Sequence, residues 1–454
     1  MKLRQKAAIA IAAISLASVA GVGQANAASI GGGGASFLAN MMDICAAQYN
    51  RNTQFNTAAD VFTYASVGSS SGRSGFASGT YKFGGSESAY TSGAPAGLVY
   101  VPLVGGAIAI GYRLDGISPA GATVRLPGEL VAKIFAGQIT KWSDPAIAAA
   151  NKATTVAKNL KATKDGVTVS VAKKASNVEF AVSMTPAAAK KYKNAKVTIS
   201  AAVLGGETKS IYSAKSAAKL SKKVAYAANT VYTVKVGKTL VGTLATEAAK
   251  DGETITFPDT PIRVVHRSDG SGTTNNFVNF LNKTFPAIWT KPTSDTFSTG
   301  FPTTLPTDGS FQSARGNEGL ANYVRDNNGS ITYAELSFLE ERGVKAAAVS
   351  NPAGKYVLPS PTASAVWLDA AAVDAAGLVT QDYTAKAADA YPINAVSYGL
   401  STTAVSATNA SVKSFFSYFL NQCVPKNGAG AGYTPLTGAI LTKALAQVAK
   451  VNAG

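Results

Sequence analysis

The sequence predicts an α/β protein with more than one core, carrying a β-rich insertion. Three observations lead there. Short apolar strands alternate with helical patterns over residues 28–151 and again from 256 to the C-terminus, which implies a largely parallel sheet covered by helices. The 454 residues exceed what one core usually serves, so two lobes are expected. Between these stretches, residues 152–255 shift to Lys, Ala, Val and Thr with a period of two, the pattern of antiparallel strands with one polar face.

Taken in order, the chain opens with "MKLRQKAAIAIAAISLASVAGVGQANA". Lys2, Arg4 and Lys6 precede an apolar run that ends at Ala25-Asn26-Ala27, the pattern of a cleaved signal peptide over residues 1–27. The run is short and broken by Ser, Gly and Gln, which argues against a membrane anchor. No later segment is long and apolar enough to span a bilayer. The first cysteine is Cys45, so no lipid anchor is expected at the cleavage point. The mature protein is expected in a periplasm or outside the cell. In that oxidising setting Cys45 and Cys423 predict a disulfide joining the two ends of the chain, with two unrelated buried thiols as the alternative.

From 28 to 151, "TYASVGSSSGR" reads as a strand running into a Ser/Gly loop, and "LVYVPLVGGAIAIGYRL" as a long buried strand. "LPGELVAKIFAGQITKW" has helical spacing bounded by a proline and a glycine. In the insertion, "GVTVSVA", "VEFAVS", "KVTISAAVL" and "TVYTVKVGKTLVGTL" alternate as strands do; a long disordered basic tract is the alternative. The formal net charge of +17 suggests a nucleic-acid binder until it is located. Between Lys152 and Lys250 there are eighteen lysines, no arginine and four acids, a net of +14, and three more charges lie in the signal peptide. The basicity therefore belongs to one segment.

The stretch "IRVVHRSDGSGTTNNFVNFL" carries the chemistry best. Ile262–Val265 read as a strand and Asn275–Leu281 as the first turns of a helix. Between them Ser271, Thr273 and Thr274 offer hydroxyls, and the N–H groups of a helix start favour an anion. Arg267 adds a planar, permanently charged fork, which Asp269 can orient. No Gly-Lys-Ser/Thr follows, so this is not a nucleotide-hydrolysing loop. Two other small-residue loops match it: "GGGGASF", with Gly34, Ala35, Ser36 and Phe37, and "VGSSSGR", with Ser69, Ser70, Ser71 and Arg73. Three such loops at helix starts suit capture of a small oxyanion without chemistry.

The "GSSSG" loop also fits the Gly-x-Ser-x-Gly elbow of serine hydrolases, centred on Ser70. That reading needs a base, and the chain's one histidine is His266. The chain order, Ser and then His with no triad acid identified between them, matches the elbow family poorly. No Cys/His cluster for zinc or calcium-loop pattern is present, and no cofactor is expected.

In order, "GGGGASFLA", "YASVGSSSG", "FGGSESAY", "AGQITKWSDPAIAAAN", "PIRVVHRSDGSGTTNNF", "GNEGLANYV" and "AYPINAVSYGL" resemble the phosphate-binding proteins of ABC phosphate uptake systems. The resemblance covers nearly all of the mature chain except 152–255. It implies a two-lobed periplasmic-binding-protein (type II) fold with the β-rich insert in lobe 2. Lobe 1 would comprise residues 28–104 and 391–454, and lobe 2 residues 105–390. By the same resemblance, Ser36, Phe37 and Ser69 would contact phosphate from lobe 1. Arg267, Ser271, Gly272 and Thr273 would supply charge and donors from lobe 2, with Asp269 holding Arg267.

One position departs from the family. Where it has Phe-Gly-Ala-Ser-Asp, this chain has "FGGSE", which places Glu87 as the acceptor of a hydrogen phosphate proton that sulfate cannot offer. The expected function is capture of inorganic phosphate by a monomer for delivery to an ABC permease, not catalysis. A secreted or surface protein whose Lys-rich insert binds polyanions is the alternative, and a Ser70 hydrolase a second one.

Overall fold

A computed structural model describes residues 27–454, apart from 157, 175, 204–208, 228–229, 247–248 and 252–253. The expected signal segment thus lies, but for its last residue, outside the described residues. No helix among the described residues is long and apolar enough to cross a membrane.

The host begins with strand β1 (Ser29–Gly34), helix α1 (Ala39–Tyr49), strand β2 (Val61–Ser66), helix α2 (Ser69–Ala77), strand β3 (Phe83–Ser86) and strand β4 (Leu98–Tyr112). Helix α3 (Gly128–Phe135) follows, where a proline-led start and helical spacing predict it. After the insertion come strand β5 (Arg263–Arg267), helix α4 (Gly272–Thr284), strand β6 (Phe311–Ala314), helix α5 (Gly316–Asp326), strand β7 (Ser330–Glu335), strand β8 (Asn394–Thr402) and helix α6 (Ala407–Tyr418). Two expectations shift by a turn. The serines of "GSSSG" form the first turn of α2 instead of a loop, and α4 starts at Gly272, three residues before Asn275. In α4 the Ser271 hydroxyl accepts from Thr274 N at 3.1 Å and caps the new terminus.

The strands form one curled sheet in the order β6–β5–β7–β4–β8–β3–β1–β2. β1 runs parallel to β2 and β3, and β5 parallel to β6 and β7. β4 joins the two parallel groups: Leu98–Ala107 pair antiparallel with β8, and Ile108–Tyr112 with β7. Fifteen residues of β4, nearly all buried, make it the shared wall of both halves. β3 ends with Ser86 opposite Tyr398, which pairs with Pro102, and β7 ends with Glu335 opposite Ile108. The two parallel groups therefore run toward each other, and the loops after their strands gather over the middle of β4. A continuous core of aromatic and aliphatic side chains, including Phe37, Phe83, Phe135, Phe277, Tyr333 and Phe415, runs beneath both halves.

Cys45 on α1 and Cys423 are bonded, with Cα atoms 5.6 Å apart across 378 residues of sequence. The ends of the chain are thereby pinned to one half.

The insertion is ordered into strands, so the disordered-tract alternative does not hold for its described residues. Strands Lys161–Lys164, Val167–Lys174, Asn177–Met184 and Lys219–Ala225 form one antiparallel sheet. Lys196–Val203, Lys209–Lys215, Thr230–Val236 and Thr239–Ala245 form a second. The sheets face each other over their own core, where the Phe180 ring meets Tyr232 at 5.0 Å. Alternation puts Val167, Val169, Val171, Val178, Phe180 and Val182 inside. The strands "KSIYSAK" and "KLSKKVA" lack a clear apolar alternation, which is why the sequence pattern does not announce them.

Candidate functional site

Three strand-to-helix entries define the site: β1 into α1, β2 into α2, and β5 into α4. At the first, Ser36 and Phe37 are buried, and the Phe37 carbonyl accepts from the Tyr433 hydroxyl at 2.7 Å. Among the described residues the N–H groups of Phe37, Gly272 and Thr273 have no protein acceptor. These are the free donors that helix starts leave over, and they suit an anion.

Arg267 closes β5, with 1% of its side chain exposed. Its Nε donates to Asp269 Oδ1 at 2.7 Å and its Nη2 to Oδ2, a bidentate fork. Burial pushes the Asp269 carboxyl up, but the Arg267 bonds and charge, with a further bond from Gly316 N at 3.0 Å, hold it below the usual carboxylate range. The guanidinium is therefore fixed before any ligand arrives. Gly68, at φ +90°, lets the second loop pass this pair: a Cβ there would stand 2.4 Å from Asp269 Oδ2.

Glu87, just past β3, lies against the β5–α4 loop. Its Oε1 accepts from Ser397 Oγ at 2.8 Å and its Oε2 from Ser69 Oγ at 3.1 Å. Burial raises its pKa to about 7, against the opposing pull of those two hydroxyls and of Arg267. Gly272 sits so close that a Cβ would meet Ser69 Oγ at 2.6 Å and Glu87 Oε2 at 2.7 Å. Any larger residue would wedge the two sides apart.

Ser36 is joined to the other half by Asn317, the second residue of α5. Asn317 donates to Ser36 Oγ through its backbone N at 3.1 Å and its Nδ2 at 3.0 Å, and Nδ2 also reaches Thr273 Oγ1 at 3.4 Å. All nine expected ligand residues thus fall at these loops: Ser69, Glu87 and Gly272 touch, Arg267 and Asp269 pair, Ser36 and Thr273 share Asn317, Ser271 caps α4, and Phe37 follows Ser36. Asn317, Ser397 and Asp295 are further members that sequence reasoning missed. "GNEGLANYV" held the only signal for Asn317, as another glycine-led helix entry. Ser397 lies within the motif "AYPINAVSYGL", where nothing in its residue type marks it as a partner of Glu87, and nothing local marks Asp295.

Ser70 and His266 are not brought together. Ser70 Oγ donates to Asp295 Oδ2 at 2.7 Å, while the His266 ring stacks on Phe297 at 4.6 Å and its Nδ1 meets the Arg267 carbonyl. Burial also lowers the His266 pKa. Among the described residues no group of three or more His, Cys, Asp or Glu is placed to hold a metal. The motif tryptophan Trp142 is a core residue whose Nε1 donates to the Gly329 carbonyl at 3.0 Å. A cavity of about 510 Å³ walled by Phe280, Phe285, Trp367 and Tyr383 shares no residue with these loops.

The model of the PBP superfamily domain matches residues 21–257 and 247–422. The phosphate-binding protein PstS of Xylella fastidiosa is 26% identical over 339 residues, which cover 74% of this chain and 61% of that protein. The chain thus spans under two thirds of that relative's length. PstS of Pasteurella multocida is 38% identical over 112 residues, 25% of this chain and 30% of that one. Among solved structures, a high-affinity periplasmic phosphate-binding protein (PfluDING) aligns with TM-score 0.54 at 20% identity, covering 92% of this chain and 93% of that one. The phosphate-binding protein of Stenotrophomonas maltophilia aligns with TM-score 0.52 at 17% identity, covering 94% and 96%. These two likenesses establish the fold.

Proposed function

The chain belongs to the PBP superfamily domain family, and on that premise we propose that it captures inorganic phosphate between its halves and delivers it to an ABC permease. Residues 28–104 with 391–454 and residues 105–390 would be the lobes that close on the ligand, with 152–255 as the insertion in the second. The observation that carries the reading is the facing of Glu87 and the Arg267–Asp269 pair across free helix-start amides. Arg267 supplies the charge, while the amides of Phe37, Gly272 and Thr273 and the hydroxyls of Ser36, Ser69, Ser271 and Thr273 supply donors. Glu87, ionised, accepts the hydrogen phosphate proton; a sulfate there would meet lone pair with lone pair. Phosphate touching both halves favours the closed state.

The role is binding without turnover, because Ser70 faces a carboxylate and not the histidine that a hydrolase would need. We place the protein, as a monomer, in the periplasm or outside the cell. The lysines of the insertion are proposed to meet anionic polymers by electrostatics. Retention of the protein on a polyanion column that vanishes near physiological salt would remove that second contact.

Calorimetry on phosphate-stripped protein tests the main reading. Phosphate and arsenate, both protonated near neutral pH, should bind tightly and sulfate weakly. No heat with phosphate refutes it, and tight sulfate binding refutes the role given to Glu87.

A further inference from the structure

Asp295 stands outside the proposed ligand set, in the loop after α4. Its own side of the cleft holds it by two contacts. The Asp295 carbonyl accepts from Ser271 N at 2.9 Å, and Oδ1 accepts from Asn275 Nδ2 at 2.9 Å. Its Oδ2 takes its donors from across the cleft: Ser70 Oγ at 2.7 Å, Arg73 Nη2 at 2.7 Å and Ser88 Oγ at 3.1 Å. Both members of the ion pair are largely buried, at 13% exposure for the Asp295 side chain and 15% for Arg73. Burial pushes the Asp295 carboxyl up, but Arg73 and the two serines hold it below the usual range.

Arg73 is readied by its own side. Its Nη1 donates to Ser86 Oγ at 3.0 Å, to the Ser88 carbonyl at 3.2 Å and to Ser88 Oγ. Its guanidinium also lies over the Tyr90 ring at 5.8 Å. A donor already ordered loses little freedom when the opposite side arrives, so more of the bond's strength remains for closure. The position matters as much as the strength. Ser70 neighbours Ser69 in the first turn of α2, and Ser271 precedes Gly272 at the start of α4. Asp295 therefore ties together two of the helix starts that present donors to the ligand.

We infer that Asp295, with Arg73, Ser70 and Ser88, is a latch that sets how long a captured anion is held. The inference rests on the anion-capture reading above. Opening the cleft must part three bonds to Oδ2, one of them charge to charge, none of which involves the ligand. A contact of this kind biases the closed state and so lengthens the bound lifetime, while leaving recognition to Arg267 and Glu87.

The test is stopped-flow phosphate release from wild type, Asp295→Asn, Arg73→Gln and the double variant. Each single change should speed release about 10- to 100-fold and leave association within about threefold, as truncating a buried pair acts on dissociation. The double variant should release no faster than the faster single one. Release within about twofold of wild type, or a loss confined to association, overturns the latch. Ser88→Ala removes one of the three bonds to Oδ2, together with the Arg73 bond to the Ser88 hydroxyl, without a charge change. It should give a smaller increase, a guard against a variant that misfolds. If wild type gives no heat with phosphate, the phosphate reading falls by itself, and small-angle scattering of the ligand-free proteins decides the latch. A larger radius of gyration in Asp295→Asn supports it, and superimposable profiles overturn it.

Discussion

The cleft and the inserted β-sandwich bury side chains of opposite kinds. In the cleft Ser36, Ser69, Glu87, Arg267, Ser271, Thr273 and Asn317 are all buried, and every oxygen of Glu87 and Asp269 has a donor within hydrogen-bond reach. The sandwich interior is Val, Ile, Phe, Leu, Ala and Tyr, and its lysines stay at the surface, with a few exposed pairs such as Lys174–Glu179 and Lys191–Asp165. Burying polar groups is tolerable only when each is partnered, so the cleft depends on every member. An apolar core depends on volume, and a solvated face on almost nothing in particular. The lysines of the outer strand Lys219–Ala225 also guard an unpaired sheet edge against association.

If this contrast is right, Arg267→Ala has the largest effect. Breaking a buried pair forfeits about 3–5 kcal/mol and strands Asp269, so phosphate affinity by calorimetry should fall more than about 100-fold. Phe180→Ala tests the other region: it should destabilise the sandwich by about 3–5 kcal/mol in denaturant unfolding and leave phosphate affinity unchanged. A loss of affinity there would break the comparison by showing the two regions coupled.

Glu87→Gln sharpens it through pH. The Glu87 pKa is raised from 4.5 to about 7 in the folded protein, so the folded state holds a proton that the unfolded chain has released. Stability of the phosphate-free protein should therefore fall as pH rises from about 4.5 to about 7. The variant should lose that component, at most about 3 kcal/mol, in unfolding measured across this range. Glu335, raised by burial to about 8, gives the same sign and stays in both proteins. Smallest is Lys223→Gln on the outer strand, expected within about 0.5 kcal/mol of wild type by thermal unfolding.

Much of the fold was legible in the sequence because turn and cap chemistry is local. "RSDGSGTT" specifies its strand-to-helix entry within eight residues, and the Ser271 cap is made to Thr274, three residues on. Period-two runs mark strands such as Val167–Lys174 because alternation follows from the pleat. Arg267, Asp269 and the small donors of the three loops were legible from local chemistry. Glu87 and the assignment of all nine residues to one ligand came only through a family pattern, since local chemistry shows a donor-rich loop and not what it faces.

By itself, then, the sequence determined the strand-to-helix entries, the charge at Arg267 and the segregation of basicity into residues 152–250. Only the tertiary structure decided which carboxylates are buried and what holds them. Ser397 reaches Glu87 across 310 residues, Asn317 reaches Ser36 across 281, and Arg73 reaches Asp295 across 222. Partners that far apart leave no periodicity or spacing to read. The pKa of Glu87 and the latch at Asp295 exist only once the chain has closed around them, because burial and charge pairing are properties of the packed neighbourhood and not of the residue.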